Sequence, residues 1–398
     1  MNLLDERWLL PEGVEEMLAP EAERLERARR DVLDLYASWG YSLVIPPLVE
    51  HLESLLTSAG SDLDRQTFKL TDPASGRLLG VRADMTPQVA RIDARHMDQG
   101  SPARLCYLGT TLRTRAEGLG GSRSPVQLGA ELYGHAGIES DCEVVCLMLA
   151  TLQRLGVAEV HLDLGHVGVF RELAARAGLD ARREGELLEA LQRKAGDDID
   201  EVLANVRDDA VRRNIRALID LNGGIDTLDE SRRALASCGA PVIACIDALA
   251  RLVQMLAERG VQVPVHFDLA ELRGYRYHTG IVFAAFVPGQ GQEVARGGRY
   301  DDIGRAFGAQ RAATGFSTDL KTLVALGDAA HAVQPAPIEA PWGSDAALLE
   351  RVAALRGAGE RVVFVLPGAA GAGAGMRRLE RRDGDWVVVD THMERPRT

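Results

Sequence analysis

The segment Gln127-Leu-Gly-Ala-Glu131 carries polar side chains at alternate positions of a stretch with strand character. Because the side chains of a strand point alternately to its two faces, Gln127 and Glu131 are predicted to share one face, with Gly129 between them. Since glycine has no side chain, this arrangement predicts a gap floored by backbone and walled by an amide and a carboxylate.

A second polar set consists of Arg82, Asp84 and Thr86, for which the same parity predicts a shared strand face. Carboxylates in a polar pocket attract a cationic group such as an α-ammonium or an imidazole. The alternative is a solvated sheet face with ordinary salt bridges, which contribute little stability. These residues alone leave both interpretations open.

Two further motifs crowd polar and aromatic residues around glycines. In Arg273-Gly-Tyr-Arg-Tyr-His-Thr-Gly280, a guanidinium could hold a ligand carboxylate through two hydrogen bonds. The second motif is Gly297-Gly-Arg-Tyr-Asp301. The alternative for the first motif is a polar turn between strands, and for the second a tight turn capped by Asp301. Neither motif is decisive alone.

Motifs typical of metal, cofactor or nucleophile chemistry do not occur in the sequence. The nine histidines form no HExxH, no Cys/His cluster has zinc spacing, and there is no G-x-S-x-G. The glycine-rich residues 117–123 lack the GxxxxGK[ST] pattern of a phosphate-binding loop and predict a hairpin loop instead. We therefore expect no metal and no cofactor, and the sequence shows no recognisable nucleophile motif.

Composition and charge are those of a globular chain. The 398 residues include 46 Lys and Arg against 58 Asp and Glu, a formal net charge of −12. This length predicts two or three domains, and the acidic balance argues against a general nucleic-acid coat, though not against one local basic site. The five cysteines form no CxxC and predict reduced thiols, with Cys142 and Cys146 in the core. Without a leader pattern or an apolar run of bilayer length, we expect a cytoplasmic protein and no membrane insertion.

Periodicity in the first part of the chain predicts helices around an antiparallel sheet. Residues 21–39 have the apolar spacing of an amphipathic helix, and residues 43–49 are a β-rich run that its prolines limit to a sheet edge or a strand end. Two hairpins follow, residues 67–71 with 77–84 and residues 105–113 with 126–133. From about residue 168 to 260 the pattern is helical throughout, which predicts an insertion.

The last third of the chain returns to strands and then changes character. Strands are predicted at residues 263–269, 280–287 and 292–295, and residues 314–316 lead into a helix that ends at residue 326. The proline-containing residues 327–341 predict a linker. Beyond it, a helix (346–356), a strand (361–366) and a hairpin (377–382 with 386–390) predict a small α/β unit at residues 342–398.

The order of these elements and motifs resembles the catalytic core of class II histidyl-tRNA synthetases over about residues 10–326. The resemblance implies an α+β fold with an antiparallel sheet flanked by helices, and a core domain of residues 1–326. Arg113 matches the motif 2 arginine of that family. The resemblance further implies a site for histidine or a related effector made of Asp84, Thr86, Arg113, Gln127, Glu131, Arg273, Tyr277 and His278.

Departures from the synthetase pattern concern the ATP half of the site. Thr322 stands at the motif 3 arginine, Asp319 at a glycine and Arg115 at the motif 2 glutamate. Adenylate formation needs cations and hydrogen-bond donors at the phosphates of ATP. The carboxylate of Asp319 would repel those phosphates. The loss of one donor, here the arginine that Thr322 replaces, typically lowers the rate about 10²- to 10³-fold. The C-terminal region is also too short for the family's anticodon-binding domain, which argues against tRNA binding.

A closer resemblance is to the regulatory subunits of ATP phosphoribosyltransferase. It rests on residues 8–13, 82–91, 127–137 and 164–168. It implies a non-catalytic chain that assembles with a short-form catalytic subunit in the first step of histidine biosynthesis. It also implies L-histidine as effector and a homodimer through the synthetase-like core within a hetero-oligomer. The alternatives are a histidyl-tRNA synthetase-like protein with residual ligase activity and a stand-alone histidine-binding module.

Overall fold

The computed structural model describes residues 9–56, 61–116, 121–272, 274–275, 277–327, 336–368 and 377–390. The chain divides into two compact units, residues 1–328 and residues 329–398. The prediction of an α+β protein with a mainly antiparallel sheet flanked by helices is confirmed.

The helices of the first unit are α1 (Glu21–Ser38), α2 (Leu52–Leu56), α3 (Ser61–Gln66), α4 (Thr86–His96), α5 (Ile138–Arg154), α6 (Val167–Ala177), α7 (Ala181–Gln192), α8 (Gly196–Leu203), α9 (Asp209–Ala217), α10 (Asp226–Ala234), α11 (Ala240–Glu258) and α12 (Leu320–Leu326). Its strands are β1 (Ser42–Leu43), β2 (Val49–His51), β3 (Phe68–Thr71), β4 (Leu78–Val81), β5 (Ala103–Thr110), β6 (Val126–Tyr133), β7 (His161–His166), β8 (Asn222–Gly223), β9 (Val265–Asp268), β10 (Ile281–Phe286), β11 (Ala295–Arg299) and β12 (Ala313–Asp319).

One large sheet organises this unit. Its nine strands run in the order β1-β5-β6-β12-β11-β10-β7-β9-β8, with antiparallel pairing except for β1 with β5 and β7 with β9. The predicted hairpin of β5 and β6 is confirmed, and its register places Tyr107 opposite Gly129. The first predicted hairpin forms β3 and β4 of a separate antiparallel sheet with the order β2-β4-β3.

The core lies between the large sheet and the helices on it. In α1, the predicted spacing buries Ala28, Val32 and Tyr36. In α5, Cys142 and Cys146 are buried, as predicted, because this helix packs against both the sheet and α11. Burial of such apolar side chains stabilises the fold by about 1.5–3 kcal/mol for each large one.

Residues 43–49 do not form one continuous strand, but they lie at a sheet edge and at strand ends, as predicted. The chain instead forms β1, passes through Pro46 and Pro47, and enters β2 of the other sheet. The physical reason is that proline has no amide hydrogen and cannot donate to a sheet ladder. β1 does lie at the edge of the large sheet.

The strand predicted at residues 292–295 lies later in the chain, as β11. It therefore contains Gly297, Gly298 and Arg299, which were predicted to form a tight turn. A Cβ atom on Gly297 would stand 2.2 Å from the carbonyl oxygen of Gly315 in β12. Glycine is present here because two strands approach closely, not because the chain turns.

The insertion is helical, as predicted, with one exception. Helices α6 to α11 are interrupted by β8, which pairs with β9 and extends the large sheet by one strand. Among the described helices, α11 is long and apolar enough to cross a membrane by length and composition alone. One face of α11 packs against α5, α6 and α10, as in the core helix of a globular protein.

The second unit contains β13 (Ile338–Pro341), α13 (Ala346–Gly357), β14 (Val362–Val365), β15 (Arg377–Arg382) and β16 (Asp385–Asp390). The strand order is β14-β13-β15-β16, and the C-terminal hairpin of β15 and β16 is as predicted. Residues 338–341, predicted as the end of the linker, form β13 inside this sheet. Residues 328–335 lie outside the described part of the chain.

Candidate functional site

Asp84 and Thr86 are positioned by the start of a helix. Strand β4 ends at Val81 and α4 begins at Thr86, with Pro87 in its first turn. The prediction that Arg82, Asp84 and Thr86 share one strand face is therefore wrong. Instead, the backbone N–H of Thr86 donates to Oδ1 of Asp84 at 2.9 Å, which holds the carboxylate at the first turn of α4.

Arg82 serves the fold and not the pocket. Its guanidinium is buried and donates to the carbonyl oxygens of Pro46 at 2.7 Å and Thr110 at 2.9 Å. A Cβ atom on Gly109 would stand 2.6 Å from this guanidinium, so the glycine makes room for it. Arg82 thus ties the proline segment to the end of β5.

Gln127 of β6 locks the turn that carries Asp84. Its Nε2 donates to Oδ1 of Asp84 at 2.7 Å, and its Oε1 accepts from the backbone N–H of Met85 at 2.9 Å. Gln127 is buried, whereas Asp84 is half-buried. The amide therefore orients a carboxylate that remains partly exposed.

The gap predicted at Gly129 is occupied. A Cβ atom on Gly129 would stand 2.4 Å from the hydroxyl of Tyr107, which lies directly opposite on β5. The Tyr107 hydroxyl is 2.9 Å from Oγ1 of Thr86 and donates to Oε1 of Glu131 at 3.0 Å. The prediction of a backbone-floored gap was wrong because it considered one strand without its neighbour.

Glu131 is the most deeply buried acid of the site, with 1% of its surface exposed. It accepts hydrogen bonds from Tyr107 and from Tyr300, which follows β11. A side chain on Gly315 would overlap the second carboxylate oxygen, so glycine at this position admits the Glu131–Tyr300 pair. Burial raises the pKa of Glu131 well above its usual range, and the hydrogen bond from Tyr107 offsets only part of this effect.

Aromatic rings form the wall beside Glu131. The ring centroids of Tyr277 and Tyr300 are 5.1 Å apart, and the His278 ring meets Tyr277 edge-on at 5.5 Å. The Tyr277 hydroxyl is buried and has no hydrogen-bond partner among the described residues. Gly274 allows the turn of this loop, since its φ of +68° is one that side-chain-bearing residues rarely adopt.

Of the two arginines predicted for the site, the structure describes Arg113 but not Arg273. Arg113 lies beyond the end of β5, where it forms an isolated bridge with Thr67 and its Nε donates to the carbonyl oxygen of Ala83 at 3.4 Å. This places Arg113 next to the Asp84 turn. Arg273 lies outside the described residues. The structure therefore brings together seven of the eight predicted residues.

Asp319, at the position of a synthetase glycine, is engaged by the chain itself. It precedes α12 and accepts from the backbone N–H groups of Val126 at 2.9 Å and Lys321 at 3.1 Å. The hydroxyl of Thr322 also donates to it, at 3.2 Å. Burial raises the pKa of Asp319, and the backbone donors counteract this in part. The carboxylate fastens β12, β6 and α12 together.

Sequence reasoning missed Tyr107 and Tyr300 as members of the site. Tyr300 lies in the Gly297–Asp301 motif, which was noticed, but its partner was not. Tyr107 had a detectable signal, because a tyrosine in the strand that pairs with the Gly129 strand can fill the space the glycine leaves. Both tyrosines donate to Glu131.

The arrangement is chemically that of a binding pocket for a cation with hydrogen-bonding groups. Two carboxylates, an amide and several hydroxyls converge, and the described ranges contain no group of three or more His, Cys, Asp or Glu residues that could hold a metal ion. All five cysteines are free. The chemistry of these converging groups is that of hydrogen bonding to a polar ligand.

Comparisons with known proteins identify the family of the chain. Residues 13–323 match the family model of histidyl-tRNA synthetase, and residues 335–389 match that of the C-terminal domain of ATP phosphoribosyltransferase subunit HisZ. A solved histidyl-tRNA synthetase from Nostoc sp. PCC 7120 is 18% identical with a TM-score of 0.74, covering 91% of this chain and 87% of its own, which shows the fold alone.

Relatives that match over nearly the full length of the chain identify its family more specifically than the fold does. The ATP phosphoribosyltransferase regulatory subunit of Alkalilimnicola ehrlichii is 56% identical over 96% of this chain and 97% of its own length. A crystal structure from Bacillus halodurans, described as an ATP phosphoribosyltransferase regulatory subunit/histidyl-tRNA synthetase, has a TM-score of 0.79 and 26% identity, covering 92% of this chain and 94% of that one. The chain therefore belongs to the family of ATP phosphoribosyltransferase regulatory subunits, the non-catalytic subunits of an enzyme of histidine biosynthesis.

Proposed function

We propose that the pocket between β6 and the Tyr277 loop binds L-histidine and makes the assembled ATP phosphoribosyltransferase respond to the end product of its pathway. In this proposal the α-ammonium group lies against Asp84, which Gln127 orients, and the imidazole lies between Glu131 and Tyr277. The charge of the ligand compensates two carboxylates that approach each other in a buried setting. Arg113 and Arg273 complete the proposed site.

The unpartnered hydroxyl of Tyr277 carries the proposal. A buried polar group without a hydrogen bond costs about 1–3 kcal/mol, so proteins seldom retain one without a reason. This hydroxyl lies beside a buried acid in a wall of aromatic rings, where an imidazole nitrogen can supply the missing partner. Occupation by histidine would therefore satisfy a group that the chain alone leaves unsatisfied.

The Tyr277→Phe variant tests this assignment by isothermal titration calorimetry with L-histidine. One neutral hydrogen bond contributes about 0.5–1.5 kcal/mol, so the affinity should fall about 2- to 12-fold while the unfolding free energy of the ligand-free protein stays the same or rises. Tyr41→Phe is the matched control, since Tyr41 is equally aromatic and buried but bonds Glu143. Equal affinities for all three proteins would contradict the proposed site.

We further propose that regulation operates on a short-form catalytic subunit, which this chain activates on assembly. Mixing the two purified chains should give one co-eluting complex and a rise in phosphoribosyl-ATP formation. L-histidine should then change that rate, and the change should be smaller with Tyr277→Phe. Two separate elution peaks, with no change in rate, would exclude the partnership.

The synthetase-like core is also proposed to form a homodimer within this hetero-oligomer. Apolar side chains cluster around the edge strand β1, where Leu43, Ile45 and Leu48 are 45%, 77% and 51% exposed. Ile45→Glu should shift sedimentation toward monomer. Ile225→Glu, at an isoleucine of 59% exposure in the helical insertion, is the matched control and should not. A monomeric wild-type chain would contradict the dimer.

We place the protein in the cytoplasm. Its five cysteines are free, and all but Cys245 are buried, which suits a reducing compartment. The apolar face of α11 is used in packing within the first unit. Fractionation of cells that express a tagged chain tests this location.

A further inference from the structure

The loop that carries Tyr277 and His278 contacts the helical insertion as well as the pocket. Tyr275, two residues before Tyr277, points away from the pocket and donates through its hydroxyl to Oε1 of Glu184 in α7 at 2.7 Å. Tyr275 is 8% exposed, and burial raises its pKa to about 12, so the hydroxyl remains a donor at neutral pH. One short loop therefore bonds to α7 and also lines the pocket.

Helix α6 holds the same loop from a second direction. Nη2 of Arg171 donates to the backbone carbonyl oxygen of His278 at 2.9 Å. The Arg171 guanidinium also lies over the Tyr275 ring, 5.5 Å from its centroid, and Phe170 meets that ring edge-on at 4.9 Å. Cation–π and edge-to-face contacts of this kind contribute to a fixed ring position.

Backbone hydrogen bonds close the described part of this loop. The N–H groups of Tyr277 and His278 both donate to the carbonyl oxygen of Gly274, at 2.8 and 2.9 Å, and the N–H of Tyr275 donates to that of Leu272 at 2.9 Å. These bonds connect the backbone that carries the Tyr277 ring to the backbone that carries Tyr275.

We propose that Tyr275, Glu184 and Arg171 form a clamp that couples occupation of the histidine pocket to the helices α6 and α7. The three are positioning residues, which do not touch the effector. This inference rests on the proposed function, because it names how binding at that site reaches the rest of the molecule. Coupling requires that the two states of the loop make unequal contacts with the helices, and the Tyr275–Glu184 hydrogen bond supplies that difference.

Hydrogen exchange of the full chain, measured with and without saturating L-histidine, tests the clamp. In the wild type, histidine should slow amide exchange in α7 at least several-fold, although α7 lies outside the pocket. Tyr275→Phe keeps the ring contacts with Phe170 and Arg171 but cannot donate to Glu184. This variant should bind histidine within about 3-fold of the wild type and lose the slowing in α7.

Three substitutions in α7 sharpen the test. Glu184→Gln retains an acceptor for the Tyr275 hydroxyl and should keep most of the response, whereas Glu184→Ala should abolish it. Glu186→Ala, which removes an exposed partner of Arg182 on the same helix, should leave the response unchanged. A purely structural role for Tyr275 would alter basal exchange but not the difference that histidine makes.

The outcomes separate the two proposals. If the wild type does not bind histidine, the proposed function and the clamp both fail. If the wild type binds histidine and the slowing in α7 is the same in Tyr275→Phe, only the clamp fails. Loss of the slowing in Tyr275→Phe and Glu184→Ala, with its retention in Glu184→Gln, supports the clamp.

Discussion

Replacing Glu131 by glutamine tests whether its buried carboxylate is kept for a ligand at the expense of stability. The substitution preserves shape and leaves an oxygen to accept from Tyr107 and Tyr300. It removes only the ability to ionise, in a position with 1% exposure and with the Asp84 carboxylate nearby. The ligand-free protein and the complex should therefore respond in opposite directions.

The effect on the ligand-free protein follows from the raised pKa. Between the usual value of 4.5 and the higher value in the fold, native Glu131 holds a proton that the unfolded chain has lost. The native state then binds one more proton, so its stability falls by about 1.4 kcal/mol per pH unit as pH rises through this window. Glutamine removes this contribution, so Glu131→Gln should gain stability over the wild type as pH rises.

The effect on the complex has the opposite sign. A bound cation favours release of the Glu131 proton, and a hydrogen bond to the resulting carboxylate contributes about 1–2 kcal/mol more than one to a neutral acceptor. Because loss of the proton offsets part of this gain, L-histidine should bind up to about 30-fold more weakly to Glu131→Gln. Urea unfolding at pH 5, 6, 7 and 8, with calorimetric titration of histidine at pH 7, measures both quantities on the same samples.

Glu143→Gln is the matched control on α5. Bonds from Arg104 at 2.7 Å overcome desolvation and lower the pKa of Glu143, so this variant should lose stability at neutral pH and bind histidine normally. Unchanged histidine affinity in Glu131→Gln would place the effector site elsewhere. An unchanged pH slope of its stability would refute the buried, protonated state of Glu131.

Three further substitutions test the supports of the pocket. Asp319→Gly should lower the unfolding free energy by about 1–2 kcal/mol, mainly because the Val126 N–H loses its acceptor and to a lesser extent because helix α12 loses its cap. It should not create histidine-dependent pyrophosphate exchange into ATP. Gly129→Ala should cost about 1–3 kcal/mol and weaken histidine binding, because the new methyl group displaces the Tyr107 hydroxyl. Arg299→Lys should cost about 3–5 kcal/mol, because lysine cannot reproduce the two bonds to buried Asp141, at 2.7 and 3.1 Å.

Each of these has a clear contrary outcome. Pyrophosphate exchange by Asp319→Gly would show that the synthetase chemistry is held back by one residue. Normal stability of Gly129→Ala would mean that Tyr107 is not confined by the glycine. An Arg299→Lys variant as stable as the wild type would show that the buried ion pair is not needed to join β11 to the start of α5.

Local patterns in the sequence determined the parts of the fold that depend on one segment at a time. The apolar spacing of α1 and the placement of Gln127 and Glu131 on one face follow from helical and strand periods alone. The hairpins of β3 with β4 and of β5 with β6 follow from strand patterns around turn residues. The family resemblance, carried by residue identities, indicated a regulatory subunit.

The tertiary structure determined which side chains fill the space around Gly129 and Glu131. Tyr107 fills the space at Gly129 because β5 pairs with β6 in one register, and Tyr300 reaches Glu131 through two further strand pairings. Asp84 does not lie on the predicted strand face, because α4 begins two residues later, at Thr86. The charge state of Glu131 depends on burial by segments distant in sequence, and a local pattern contains no information about that burial.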